Sequence, residues 1–312
     1  MDNDEVDTVD IEIPSLKVEA AFQRSLSALV EMDVAGASHC GLVRATNEDH
    51  YYVACANRML ETLATNMPDG IIPARHGEKS FGMLVADGIG GAAAGEVASR
   101  LAVSKLVQLV LATPDWIMRY DEQQAERWTE RFRDRFHQIH QAVMKAAQRD
   151  PNLEGMGTTL TLACSNGNNL LIVHIGDSRV YLFRKQILQK LTLDHTLAQE
   201  FADAGKIASV EEAPPHLRHT LTRAIGGTGE DALADVRLFQ LEHDDRLLLC
   251  TDGLSDMVND AAIAQTLAQH ESSASACQAL VDLALANGGK DNITLIVARF
   301  RIPDPVLLEP AI

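Results

Sequence analysis

The sequence predicts an α+β chain in which two sheets pack on one another and helices cover their outer faces. Six short apolar runs carry the strand pattern: FGMLVAD (Phe81–Asp87), TTLTLACS (Thr158–Ser165), NLLIVHIGD (Asn169–Asp177), RVYLFR (Arg179–Arg184), DRLLLCTD (Asp245–Asp252) and NITLIVARF (Asn292–Phe300). Helical periodicity is confined to a few stretches between them. Strands outnumber those that one face of helices could cover, so sheet must meet sheet.

The elements follow in order. Residues 1–33 read as an acidic N-terminal extension, opening with six acids and no base in MDNDEVDTVDIE. After Pro14 its apolar residues Leu16, Ala20, Leu26, Leu29 and Val30 recur at roughly helical spacing. From Val34 short strands broken by Gly, Asn and Asp take over. The stretch Asn57–Lys79, with Pro, Gly and mixed charge, reads as an inserted loop. Ala92–Ala112 and Arg127–Ala147 read as helices, the second carrying Phe132, Phe136, Ile139, Val143 and Met144 at core spacing. Further helical patterns lie in Ala198–Ser209, Ala261–His270 and Ser275–Gly289, the last ending at glycines that suit a C-cap.

Composition narrows the function. The 312 residues hold 27 Lys+Arg against 44 Asp+Glu, a formal charge of −17, which argues against a nucleic-acid backbone as partner. With 46% hydrophobic and 23% charged residues, disorder of the whole chain is excluded, and the length allows one large domain or two. The acidic start is no secretory signal, and no apolar run approaches the roughly 18 residues of a membrane-spanning helix. Five scattered cysteines form neither a disulfide framework nor a CxxC zinc site. The expectation is a soluble, cytoplasmic protein with free thiols and no membrane insertion.

Four aspartates stand where a strand meets a turn: Asp87 in VADGIGG, Asp177 in HIGDSR, Asp252 in LCTDGLSD and Asp291 in GKDNIT. A single Asp-Gly pair is turn chemistry, as at Asp69 and Gly70 after Pro68. Asp87, Asp177 and Asp252 each close an apolar run, however, which sets a bare carboxylate beside a core unless a cation pairs with it. Oxygen ligands from several strand ends suit Mg²⁺ or Mn²⁺. Earlier, GLVRATNEDHYYV holds Arg44, Asn47, Glu48 and Asp49 within six residues. The arginine fork fits a phosphate bidentately, and the carboxylates attract metal or its waters. A dinucleotide turn at GIGGAA (Gly88–Ala93) is disfavoured, because Asp87 would repel a pyrophosphate.

Taken together, RATNED (Arg44–Asp49), ADGIGGAAAGE (Ala86–Glu96), MGTTL (Met156–Leu160), IGDSRVYLFR (Ile175–Arg184), LTRAIGG (Leu221–Gly227), CTDGLSDMV (Cys250–Val258) and DNIT (Asp291–Thr294) resemble the metal-dependent serine/threonine protein phosphatases of the PP2C family, bacterial type. The strings keep the family's order over about Val34–Phe300. The resemblance implies a four-layer α-β-β-α sandwich of two antiparallel sheets spanning residues 34–301, with a flap region at 194–227 and a tail at 302–312. It implies that Asp87 bridges two Mn²⁺ or Mg²⁺ ions, that the Gly88 carbonyl completes one, and that Asp252 and Asp291 hold the other. Asp49 and Glu48 would act mainly through metal-bound waters, Asp177 with Asp252 would take a third, weaker ion, and Arg44 would hold the substrate phosphate. Thr158, Ser178 and Asn292 would support these groups from behind, Gly90, Gly91 and Gly95 would admit close helix packing, and Arg179 would pair with a neighbouring acid.

The implied reaction is hydrolysis of phosphoserine and phosphothreonine on bacterial phosphoproteins by a metal-bridging hydroxide, opposing a kinase. The alternative is a catalytically silent regulator with the same fold that binds phosphoproteins. Two departures stand out: Ile89 occupies the place where some members carry a histidine proposed as general acid, which leaves metal-bound water, solvent or another histidine (His39, His50 or His195) to protonate the leaving group, and the extension and the insert are extra.

Overall fold

In the segment Arg75–Ala86, Met83 and Val85 alternate with Leu84 and Ala86, and all four are buried. Successive side chains of a strand point to opposite faces, so such a strand must lie between two layers. The computed structural model, which describes residues 25–68, 71–90, 94–113, 125–227 and 232–303, meets that demand.

One five-stranded antiparallel sheet runs in the order β1 (Glu31–His39), β13 (Ile293–Arg301), β12 (Arg246–Cys250), β8 (Arg179–Arg184), β9 (Ile187–Lys190). The other, also antiparallel, runs β11 (Asp235–Gln240), β7 (Asn169–Ile175), β6 (Leu160–Asn166), β3 (Arg75–Ala86), β2 (His50–Glu61). A third sheet of very short strands, β10 (Ile225–Gly226), β5 (Gly157–Thr158) and β4 (Gly88–Ile89), sets Gly88 opposite Thr158. Helices α2 (Ala94–Leu111) and α3 (Ala125–Arg149) cover one outer face, α7 (Asp260–Gln269) and α8 (Ser273–Ala286) the other. The shorter helices are α1 (Leu26–Leu29), α4 (Leu197–Asp203), α5 (Pro215–Arg218) and α6 (Asp252–Ser255). Among the described residues no helix is long and apolar enough to cross a membrane.

The pleat sorts the apolar residues into three cores. Leu84, Leu162, Leu171 and Val173 meet α2 and α3. Met83, Val85, Ala163 and Ile172 meet Val180, Leu182, Leu247, Leu249 and Ile296 between the sheets. Tyr181, Phe183, Leu248, Leu295 and Val297 turn out to Ile263, Leu267, Leu280 and Ala284 on α7 and α8. The four-layer expectation therefore stands.

Two expectations need correction. Asn57–Lys79 is not a loop throughout: β2 runs on to Glu61 and β3 begins at Arg75, paired from Asn57↔Lys79 to Glu61↔Arg75. An exposed ribbon has no buried face to impose alternation, so its sequence hides the strands. Asp69 and Gly70 lie outside the described residues. Nor does the fold begin at Val34. Val30 is 1% exposed in the inter-sheet core, and β1 starts at Glu31. Asp33 accepts the Ser273 N–H on Oδ2 (2.8 Å) and the Ser273 hydroxyl on its carbonyl (2.7 Å), at the start of α8. Leu16 and Ala20 are outside the described residues, as are residues 304–312, whereas Ile302 is buried.

The packing distinguishes two truncations. A chain beginning at Ser25 keeps these contacts, and one beginning at Val34 loses them. Burying one valine side chain is worth roughly 1.5–3 kcal/mol and a helix cap about 1 kcal/mol, so the shorter chain is expected to melt on the order of 10 °C lower in calorimetry. Equal midpoints would place residues 25–33 outside the cooperative fold.

Candidate active site

Asp49 immediately precedes β2, Asp87 immediately follows β3, Asp177 lies two residues past β7, Asp252 two past β12, and Asp291 two before β13. Antiparallel pairing brings these strand ends to one end of the sandwich. The four aspartates singled out in the sequence thus meet, and Asp49 joins them as a fifth. All five are close enough that Asp49, Asp252, Asp177 and Asp291 each disfavour ionisation of Asp87.

Hydrogen bonds set their directions. Thr251 Oγ1 donates to Asp49 Oδ2 at 2.8 Å. The Asp87 N–H donates to Thr159 Oγ1 (3.0 Å), which is linked to Ser178 Oγ (2.8 Å), and the Asp87 carbonyl accepts from Thr158 Oγ1 (2.8 Å). Asn292 ties the arginine-bearing loop to β13: Nδ2 donates to the Cys40 and Thr46 carbonyls (2.9 and 2.8 Å), and Oδ1 accepts the Glu48 N–H (2.8 Å). At Gly88 a Cβ would collide with the Gly95 and Glu48 carbonyls, and at Gly95 it would strike the Glu48 carboxylate. Two glycines therefore let three backbone segments converge beside Asp87. Gly91 is outside the described residues.

The electrostatics are strongly one-sided. Burial, with repulsion from Asp252 and Asp291, pushes Asp49 up to about 7 although the Thr251 hydroxyl opposes the shift. Burial and repulsion by its neighbours hold Asp87 and Asp177 well above the usual carboxylate range. Burial also raises Glu48. Asp49 Oδ1 and Asp252 Oδ1 are buried with no hydrogen-bond partner among the described residues. Buried carboxylate oxygens without partners, crowded by like charge, fit hard divalent cations. Arg44 is the cation closest to hand: Nη2 donates to Asp291 Oδ2 at 2.6 Å, and its half-exposed guanidinium keeps further donors free for a phosphate. Arg179 is spent elsewhere, in a fork on Asp194 with Nη2 to Oδ2 at 2.7 Å.

The candidate histidines are engaged in other contacts. His39 Nδ1 accepts the Gly41 N–H (2.9 Å), His50 Nδ1 meets Ser99 Oγ (2.9 Å), and His195 Nε2 faces Asp235 Oδ2 (3.5 Å). The histidine beside the aspartates is His219, which falls within the flap region 194–227 and was not a candidate from the sequence. Its Nδ1 is 3.5 Å from Asp256 Oδ2 and 3.8 Å from Asp252 Oδ2, and the nearby carboxylates of Asp252 and Asp256 raise its pKa. Asp256 had a local signal, since it sits one helical turn after Asp252. Thr251 and His219 had none.

A family model described as "Protein phosphatase 2C" matches residues 73–286. The chain is 38% identical over 267 residues to "Serine/threonine protein phosphatase PstP" of Mycobacterium tuberculosis, covering 85% of this chain and 44% of that one, so it spans less than half of that relative's length. It is 33% identical to "Serine/threonine phosphatase stp" of Listeria monocytogenes, covering 69% of this chain and 82% of that one. The crystal structure of the catalytic domain of PstP in complex with two manganese ions is similar with a TM-score of 0.66 at 34% identity, covering 87% of this chain and 99% of that chain.

Proposed function

Because the chain belongs to the protein phosphatase 2C family, we propose that it removes phosphate from phosphoserine and phosphothreonine on proteins in a reaction that requires divalent cations. The observation that carries this is the cluster of five aspartates at the strand ends, with unpartnered oxygens on Asp49 and Asp252. Asp87 would serve two ions, the Gly88 carbonyl one of them and Asp252 and Asp291 the other; Asp177 would join Asp252 at a third, and Asp49 and Glu48 would act mainly through water. When bound, Mn²⁺ or Mg²⁺ supplies Lewis-acid charge and lowers the pKa of coordinated water towards neutrality.

The chain's own residues supply the rest. Arg44, anchored by Asp291 on one side, presents its remaining N–H groups to the phosphoryl oxygens and holds phosphorus in line for attack by water. No side chain is required to carry a phosphoryl group. Thr158, Thr159 and Thr251 keep Asp87 and Asp49 from turning away, and Asn292 keeps Glu48 and the Arg44 loop in register with β13. With Ile89 in place of a histidine, His219, whose Nδ1 lies 3.8 Å from Asp252 Oδ2, would be the histidine available to protonate the departing serine or threonine oxygen.

A phosphomonoester on serine or threonine is the product of a kinase, so a phosphorylating enzyme must supply the substrate. Five free cysteines suit a reducing compartment such as the cytoplasm. The test is hydrolysis of p-nitrophenyl phosphate and a phosphothreonine peptide with EDTA, Mg²⁺ and Mn²⁺ compared. Turnover of both substrates with either cation and none with EDTA is expected. Absence of turnover under every cation, with phosphopeptide still bound, would favour the silent regulator.

A further inference from the structure

Leu42 and Val43 immediately precede Arg44, and both side chains are left to solvent: Leu42 is 66% exposed and Val43 70%. Scattered apolar residues are ordinary on a protein surface. These two are consecutive, and the backbone that carries them is held from several sides. The Leu42 N–H donates to the Gly289 carbonyl (2.7 Å) in the turn after α8. Before it, the Gly41 N–H donates to His39 Nδ1 (2.9 Å), and Gly41 has φ +82°, where a Cβ would collide with the Asp291 and Gly289 carbonyls. The Cys40 thiol closes the turn on the Arg44 carbonyl (3.2 Å), and Asn292 Nδ2 pins the Cys40 and Thr46 carbonyls (2.9 and 2.8 Å). The segment from Cys40 to Thr46 is thus fastened to the residues that carry Asp291. Its apolar pair cannot withdraw from water without breaking those bonds.

What can cover the pair is limited by its neighbour. Consecutive Cα atoms are about 3.8 Å apart, so those of Leu42 and Val43 lie within about 8 Å of the Arg44 Cα. The Arg44 side chain is 58% exposed and bonded to Asp291 on one side. A second copy of the chain, or any permanent partner, seated on Leu42 and Val43 would lie over the guanidinium and shut phosphate out. An occupant that arrives and leaves with the phosphate meets no such conflict, and a phosphorylated peptide is one. An extended peptide rises about 3.3 Å per residue, so with its phosphate on Arg44 the side chains one or two residues away come level with Val43 and Leu42. An apolar side chain there takes carbon surface out of water on both molecules. A carboxylate there loses water and gains no partner from the pair.

We propose that Leu42 and Val43 are specificity-determining residues that receive an apolar side chain one or two residues from the phosphoserine or phosphothreonine of a substrate protein. This rests on reading Arg44 as the residue that holds the substrate phosphate. Because the turn is already fixed, the contact orders little of the enzyme and its gain goes into binding. The reacting atoms are not touched, so the pair sorts substrates without altering the hydrolytic step.

The full chain with Mn²⁺ tests this on phosphothreonine peptides that differ only in carrying leucine, serine or aspartate at one of the two positions on either side of the phosphothreonine. The unaltered chain is expected to show kcat/KM about tenfold higher for leucine than for serine at one or more of these positions, carried by KM. The preference is expected to persist in high salt, because an apolar contact is not screened. Val43→Ser alone, and Leu42→Ser with Val43→Ser, are then compared, with thermal unfolding as the check that each folds. In the double variant the leucine preference is expected to shrink to about twofold or less, while turnover of p-nitrophenyl phosphate, which has no flanking residues, is retained. Equal kcat/KM for leucine and serine at every position in the unaltered chain would overturn the proposal, a reading that needs no variant. So would a leucine preference that survives both substitutions, or a parallel loss of p-nitrophenyl phosphate turnover, which would make the pair a support for Arg44. Failure of the unaltered chain to hydrolyse either kind of substrate would instead overturn the phosphatase reading beneath it.

Discussion

Replacement of Asp252 by asparagine is expected to lower cation-dependent turnover by about 10³-fold or more at saturating Mn²⁺, and to raise the melting temperature of the cation-free chain. Losing a residue that merely orients a metal ligand costs roughly 10–100-fold, and Asp252 carries one of the two unpartnered carboxylate oxygens itself. Tenfold in rate corresponds to about 1.4 kcal/mol, so the loss amounts to about 4 kcal/mol of transition-state stabilisation. The gain in stability follows from the same charge. Asp252 is the neighbour that pushes up Asp49, Asp87, Asp177 and Asp256 alike. Steady-state kinetics with Mn²⁺ and calorimetry in EDTA read the two effects separately. Turnover close to that of the unaltered chain would remove Asp252 from the site.

The cation-free chain is expected to lose stability as pH rises, opposite to the usual behaviour of ion-paired carboxylates. Asp49 titrates at about 7 in the folded chain, against about 3.9 for an unperturbed aspartate, and Asp87 and Asp177 are also shifted upward. Between those values the folded state binds more protons than the unfolded chain. The stabilisation is complete below the unfolded pKa and disappears as pH climbs through the folded one. His219, raised by the neighbouring Asp252 and Asp256 carboxylates, acts in the same direction. In EDTA the melting temperature is expected to fall by about 5 °C or more between pH 5.5 and pH 8. Saturating Mn²⁺ is expected to reverse that slope, because cations bind the deprotonated carboxylates. Burial lowers His174 to about 3 and also lowers His195 and His50, which opposes this slope, so a melting temperature that rises with pH in EDTA would show that these histidines outweigh the aspartates.

Much of this was legible because the relevant chemistry is local. An aspartate closing an apolar run announces a carboxylate beside a core, and Asp87, Asp177 and Asp252 are held where that pattern places them. Residues such as Leu247 to Cys250 read as strand because β12 is buried on both faces and leaves no polar alternation. The hairpin beyond Asn57 was hidden for the converse reason, since neither face is buried deeply enough to pattern it. Val30 and Asp33 looked like part of an acidic appendage because the core that buries Val30, which also holds Phe300, and the partner of Asp33, Ser273, lie far along the chain. His219 was invisible as a site residue because its nearness to Asp252 depends on how the flap folds back. His195 stood among candidates for proton donation, and only its contacts with Gly176 and Asp235 show that its ring is committed elsewhere.

The pairing of β1 bears on how the molecule comes into being. Its partner is β13, from Glu31↔Arg301 to His39↔Ile293, so among the described residues the earliest strand waits for the latest. Such non-local closure makes folding slow and leaves a long-lived open edge during synthesis. Asp291 lies just upstream of β13, so the same closing step that shields β1 also delivers the final carboxylate. A nascent chain therefore has neither a finished sheet nor a finished catalytic cluster, and the two mature together.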